Sequence, residues 1–286
     1  EKIAHAEVNG DGTLLAKQAV LGGADLIAVS GGDGSLNEAV CALAGSEATL
    51  LALPSGTANL LAEQAGIPVN VGKAAVLLPG LTSYSVPVGL VRFARPETNA
   101  RHFLLLCGVG VDAQIVYHLN TRLKACLGEG AYWLESIEQL QRKFDPFEVR
   151  IGDEIHEVTL ALVSKSRLYG GRLVITPEAH LFSEQSQVAV FRGESPLRYV
   201  GYLARMATGG LDGVTGVTFH RADRVEFLAR DEKPIYVEVD GEPAGRLPSR
   251  WQRRRSVCFF RPSMANASRA KGIPKRPIRG PPVSHG

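Results

Sequence analysis

Residues 26–40 read LIAVSGGDGSLNEAV: an apolar run, then Gly31-Gly32-Asp33-Gly34, then Ser35 and a helical pattern that includes Asn37 and Glu38. A strand that ends in a glycine turn and passes at once into a helix presents backbone N–H groups at the positive end of the helix dipole. Anions, phosphates above all, bind there. Glycine suits such a turn because a Cβ would obstruct close approach. The arrangement recurs one unit later as Ser55-Gly56-Thr57-Ala58-Asn59. Neighbouring strand ends of a parallel sheet share one rim, so the two turns are expected to border one crevice. A plainer role exists for each. SLNE (35–38) is a capping-box sequence that would satisfy the helix N-terminus without a ligand, and Thr57 could likewise serve only as a cap. Neither turn is a G-x-x-x-x-G-K-[ST] phosphate loop or a G-x-G-x-x-G dinucleotide fingerprint.

The elements that must position these turns follow from the pattern of apolar residues. Thr13 to Val20 predicts a helix stopped by Gly22-Gly23. Ala24 to Ser30 is a short continuous apolar run, as expected of a parallel strand buried on both faces. Leu36, Ala39, Val40, Leu43 and Ala44 form one helical face. A strand at Thr49 to Leu53, a helix from Ala58 to Ala65 and a short helix from Lys73 to Leu78 complete an α/β unit with a parallel sheet. Near Tyr84 the texture changes. Strands are expected at 84–93, 101–111, 147–151, 157–164, 172–176, 187–192, 216–220, 224–228 and 234–240, with helices at 113–143 and 196–208. Many strands at short spacing predict an antiparallel sandwich or barrel. The expected division is residues 1–82 for the α/β domain, 83–261 for the β-rich domain, and 262–286 for a disordered basic tail rich in Pro and Arg.

The totals exclude several classes. The chain has 286 residues, a net charge of +3 and 21% charged residues, which gives no argument for nucleic acid as a partner. No apolar stretch reaches the ~18 residues of a membrane span. The four cysteines and seven histidines are scattered without zinc-site spacing, so no metal-ligating residues are assigned. The cysteines read as reduced thiols of a cytoplasmic protein.

GGDGSLNEAV followed by LPSGTANLLA resembles the diacylglycerol kinase catalytic-domain family, which includes bacterial lipid kinases and sphingosine kinases. CGVGVDAQIV (107–116), YGGRLVITPEA (169–179) and VEVDGEPAG (237–245) stand in the family's order, and the resemblance spans about residues 5–247. It implies a nucleotide-binding α/β domain of the NAD kinase/phosphofructokinase-like kind joined to a C-terminal antiparallel β-sandwich. It also implies ATP with Mg²⁺ as cofactors. Gly31, Gly32, Asp33, Gly34, Ser35, Asn37 and Glu38, with Gly56, Thr57 and Asn59, would hold the nucleotide. In VDGE, Asp240 would be the general base that takes the proton of a lipid hydroxyl, with Glu242 beside it. Such a group is what phosphoryl transfer needs near the nucleophile, although Asp-Gly after an alternating strand is also a hairpin signal. The implied partner is a lipid met at the membrane surface, by a cytoplasmic, peripherally attached protein, with a homodimer among the expected assemblies.

Three departures bear on activity. The family's opening strand and Asn-Pro-x-x-Gly loop have no counterpart before Glu7, so the chain is expected to start inside a longer protein. Many bacterial members carry Asp-Asp-Gly-x-x-Asp, part of a structural Mg²⁺ site, where this chain has Phe182-Ser183-Glu184-Gln185-Ser186-Gln187, and Lys165 stands where Asn is common. That second metal site is expected to be lost. After Leu247 the residues are basic and proline-rich rather than apolar. Two other functions remain open on the residues: a kinase of a soluble substrate such as NAD, and a nucleotide-binding relative without turnover.

Overall fold

The computed structural model describes residues 3–7, 10–77, 83–93, 100–118, 144–170, 173–208, 210–230 and 233–247. The chain opens with α1 (Asp11–Leu21), β1 (Leu26–Gly31), α2 (Asp33–Leu43), β2 (Thr49–Pro54), α3 (Leu60–Gln64) and α4 (Val71–Leu77). β1 and β2 are parallel, with Leu26 opposite Thr49 and Gly31 opposite Pro54. Both glycine turns therefore leave the sheet at the same edge. The predicted helical face of α2 is the buried one: Leu36, Ala39, Val40 and Leu43 pack inward. β1 differs from expectation. Its residues alternate between exposed and half-buried, because among the described residues β2 is its only strand partner and α1 packs mainly on α2.

The second half is a β-sandwich. β3 (Gly89–Val91) and β4 (Arg101–Phe103) form a short ladder, followed by β5 (Leu106–Gly110) and α5 (Val111–His118). Next come β6 (Phe147–Ile151), β7 (Glu154–Val158), β8 (Leu160–Ser164), β9 (Leu168–Tyr169), β10 (Leu173–Val174) and β11 (Ser186–Phe191). α6 (Pro196–Thr208), β12 (Val217–Ala222), β13 (Val225–Ala229), β14 (Ile235–Val239) and β15 (Glu242–Leu247) end the described chain. Six antiparallel strands run in the order β12-β11-β8-β5-β14-β15, and three in the order β13-β6-β7.

Burial explains which strands the sequence announced. Between the sheets lie Cys107, Val109, Phe147, Val149, Val163, Val190, Phe227 and Val237. The other face of the large sheet is covered by α6 through Tyr199, Tyr202 and Met206. β8 and β11 are thus buried throughout and contain the unbroken apolar runs 160–163 and 188–191, whereas β6 meets solvent on one face and alternates. The strand expected at 157–164 is two strands in different sheets, parted at Thr159, whose hydroxyl bonds Gly193 O at 2.9 Å. Of the strand expected at 172–176, the described residues show the two of β10. Beyond His118 the predicted helix to 143 lies outside the described residues, as does the 262–286 tail. Among the described residues no helix is long and apolar enough to cross a membrane.

Candidate active site

Three consecutive helices begin at this end of the molecule, and two are capped from α2. α1 starts after Gly10 in left-handed conformation, with no cap from its own N-cap residue. Glu38 supplies one from α2: its Oε1 accepts from Gly10 N at 2.7 Å and its Oε2 from Gly12 N at 2.9 Å. α3 starts after Asn59. Here Asp33 is the acceptor, with Leu60 N at 3.0 Å and Leu61 N at 2.9 Å on its two oxygens. α2 itself starts after Gly32 with no side-chain cap. The capping-box expectation for SLNE is thereby corrected. Ser35 lies inside the first turn rather than at the N-cap, and Glu38 reaches another helix. Thr57 is not the cap of α3 either, since Asn59 holds that position.

The two glycine turns touch backbone to backbone. A Cβ on Gly56 would collide with Gly32 Cα, and one on Gly32 would lie 3.3 Å from Gly56 Cα. Asn59 locks the second turn by accepting from Gly56 N at 2.9 Å and donating to Gly56 O at 2.7 Å. It does so at φ 53°, in the left-handed region that Asn tolerates better than most residues. Ser35, Ser55, Gly56 and Thr57 are exposed on the rim. A Cβ on Gly34 would meet only Glu242 Oε1, at 3.5 Å. That contact places a carboxylate of the sandwich opposite the uncapped N-terminus of α2.

Asp240 and Gly241 form the turn of the β14–β15 hairpin, with φ 48° and 81°. Among the described residues, Asn59 and Asp240 are the only non-glycines with positive φ. The Asp240 carboxylate takes four donors. Leu105 N and Leu106 N bond Oδ1, both at 2.9 Å, while Leu104 N at 2.8 Å and Asn37 Nδ2 at 2.6 Å bond Oδ2. Asn37 also donates to His102 O at 3.0 Å. Burial pushes the Asp240 carboxyl up, and its hydrogen-bond donors draw it part of the way back. With four donors in place, its lone pairs are already occupied. The other carboxylate of this hairpin, Glu242, is the one that faces Gly34. The side chains of Asp33, Asn37, Glu38 and Asn59, expected to hold nucleotide, are all engaged within the protein.

Sequence reasoning missed Glu238. It sits in β14 between Val237 and Val239, where alternation suggests a solvent-facing residue, yet it is 1% exposed because both faces of the sheet are covered. Its Oε2 accepts from Gly241 N at 2.7 Å, bracing the hairpin turn. Across Gly108, where a Cβ would collide with both, it abuts Asp112, which accepts from the Tyr169 hydroxyl. Burial, then the charge of Asp112, pushes the Glu238 carboxyl well above the usual carboxylate range. The stretch from Phe182 to Gln187 does not suit a hard cation, which needs charged oxygens. Lys165 Nζ donates to Ser183 O there. Burial lowers this ammonium to about 8, and nearby Glu184 opposes the shift.

Residues 2–91 match the model of the diacylglycerol kinase catalytic domain. Residues 106–258 match that of the YegS C-terminal NAD kinase beta sandwich-like domain. The chain is 29% identical over 250 residues to the diacylglycerol kinase of Bacillus subtilis, covering 84% of this chain and 78% of the relative. It is 31% identical over 245 residues to a "Probable lipid kinase YegS-like" of Pseudomonas aeruginosa, covering 82% and 76%. A crystal structure of a diacylglycerol kinase from Bacillus anthracis superposes with a TM-score of 0.68 at 22% identity, covering 92% of this chain and 83% of the other.

Proposed function

The chain belongs to the diacylglycerol kinase catalytic-domain family of lipid kinases, and from that premise we propose that it moves the terminal phosphate of ATP onto a lipid hydroxyl. The observation that carries this reading is the trade of helix caps. α2 gives Glu38 to α1 and Asp33 to α3, and keeps no side-chain cap for itself. Its opening N–H groups, with the second glycine turn against them, form an anion site in search of an anion. A nucleotide's phosphates supply one.

The proton must leave the attacking hydroxyl as the phosphoryl group arrives. Asp240, expected from resemblance to take it, would have to break one of four hydrogen bonds to do so. We assign that step to Glu242, half-buried at the start of β15 and facing Gly34. Asp240 then acts as a positioning residue, tying the hairpin to α2 through Asn37. Mg²⁺ fits this site as a companion of the nucleotide: Glu242, facing Gly34, is the residue that would help hold it, and when bound it would neutralise charge on the transferred group. Once deprotonated, the lipid oxygen attacks the terminal phosphorus in line, and ADP departs against the α2 N-terminus. Incubation with ATP labelled on its terminal phosphate, a panel of lipids and NAD⁺ tests the assignment. Label is expected in a lipid. Label in NAD⁺ would favour the soluble-substrate alternative, and label remaining in ATP would defeat the proposal.

A further inference from the structure

We infer that Glu154, His156 and His220 form a binding site for a transition-metal cation of the Zn²⁺ class, clipping the two sheets of the sandwich together. The three are spread over 67 positions of sequence, which hides them from spacing rules, but the topology collects them. Glu154 and His156 are two apart on β7, an edge strand of the smaller sheet, and so share a face. His220 comes from β12, an edge strand of the larger sheet. Their ligand atoms all lie within 4.8 Å of one another. His156 Nε2 stands 3.2 Å and His220 Nδ1 3.9 Å from Glu154 Oε2. Ligands of tetrahedral Zn²⁺ at 2.0–2.1 Å are about 3.3 Å apart, so the first separation already matches. The second closes with a small rotation of Glu154, whose side chain is 67% exposed.

A second observation points to a ligand. His156 Nε2 is buried, and its approach to Glu154 Oε2 at 3.2 Å does not make a hydrogen bond, an arrangement that shared coordination of a metal would relieve. His220 is prepared in the usual manner of a metal-bound imidazole. Its other nitrogen, Nε2, lies 3.4 Å from Thr218 Oγ1, a partner able to hold the ring's orientation. Beside Glu154 and His220 opens a cavity of about 690 Å³, a route from solvent and room for water as the fourth ligand. The arginines around it do not oppose a cation unbalanced. Arg150 and Arg224 both pair with Glu226, and Arg221 pairs with Glu178. Two imidazoles and one carboxylate suit Zn²⁺ rather than Mg²⁺.

One neighbour works against the metal. Arg192 approaches His156 Nδ1 at 3.1 Å as a donor, which keeps the ring proton on Nε2. Ligation through Nε2 requires that proton on Nδ1, so exposed Arg192 must swing away. The test is calorimetric titration of the chelator-treated full chain with Zn²⁺ alone, paired with thermal unfolding and with Mg²⁺ as a control. Wild type is expected to bind one equivalent and unfold at a higher temperature with Zn²⁺. His220→Ala and Glu154→Gln, both surface-accessible changes that spare the core, should lose both effects. Arg192→Gln should bind several-fold more tightly. The same Zn²⁺ affinity and stoichiometry in wild type and His220→Ala, or no Zn²⁺-dependent shift in unfolding temperature, would overturn the inference.

Discussion

At Asp240 the carboxylate holds three backbone N–H groups and the Asn37 amide. Asp240→Asn turns an NH₂ group toward some of those donors. Breaking such a buried charged network is typically worth about 3 kcal/mol, so chemical denaturation should show a clear loss of stability, with turnover falling alongside it. Glu238 is the more strongly raised of the two buried carboxyls. Its folded carboxyl titrates well above the ordinary 4.5, so over that window the folded state keeps a proton that the unfolded chain has released. Stability therefore declines as pH rises from about 4.5. Glu238→Gln preserves an acceptor for Gly241 N and a donor for Asp112 without that proton. Denaturant titrations should find the variant gaining on wild type from pH 5 to pH 8; parallel curves would contradict the buried protonated acid. The sequence exposed these residues unevenly. GGDGSLNE drew attention by its composition, but that Asp33 and Glu38 cap helices 26 to 28 positions away, and that Asn37 meets Asp240 across 203 positions, are properties of the fold.

At the scale of elements, the contact between the two glycine turns separates two substitutions that look alike in sequence. Gly56→Ala drives a methyl group into Gly32 Cα, and backbone cannot yield as a side chain does. It should cost about 1–3 kcal/mol, as overpacking does, and weaken nucleotide binding by moving the turns apart. Gly34→Val meets only Glu242 Oε1 at 3.5 Å. It should fold nearly as well as wild type yet lose ATP binding, because the branched side chain fills the phosphate position. Calorimetry with ATP and thermal unfolding, run on both variants, read these outcomes, and a folded Gly34→Val with wild-type affinity would put the phosphates elsewhere. Most elements were legible because their burial is simple: β6 alternates against one covered face, α2 carries one apolar stripe, and α6 matches its predicted bounds. β7 and β8 were fused because Val158, Leu160 and Leu162 are all buried, and nothing in that apolar run signals the change of sheet at Thr159. β15 follows a turn that the Asp-Gly pair did signal, yet its Pro243 and Gly245 disguise it as a loop.

Across the whole molecule, the proposed site lies where the two halves meet. Leu36, Val40, Leu60 and Leu61 of the α/β part pack with Val88, Leu104, Leu105 and Leu181, and the Asn37–Asp240 bond spans the same junction. This joint sets the uncapped α2 N-terminus opposite Glu242. We further propose peripheral attachment to the membrane through the sequence's basic cluster at Arg250 and Arg253 to Arg255, continued by Arg261, Arg269, Lys271, Lys275, Arg276 and Arg279. Each such charge near an anionic surface contributes about 1 kcal/mol. Sedimentation with anionic vesicles should accordingly exceed that with neutral ones and weaken with salt; equal sedimentation would refute it. The central claim is that phosphoryl transfer occurs between the α2 N-terminus and Glu242. It is tested most directly by the turnover of Glu242→Gln on the lipid that accepts label, with ATP affinity measured on the same preparation. A drop of about 10²- to 10⁴-fold at unchanged ATP affinity and stability is the predicted result, and wild-type turnover in Glu242→Gln would contradict it.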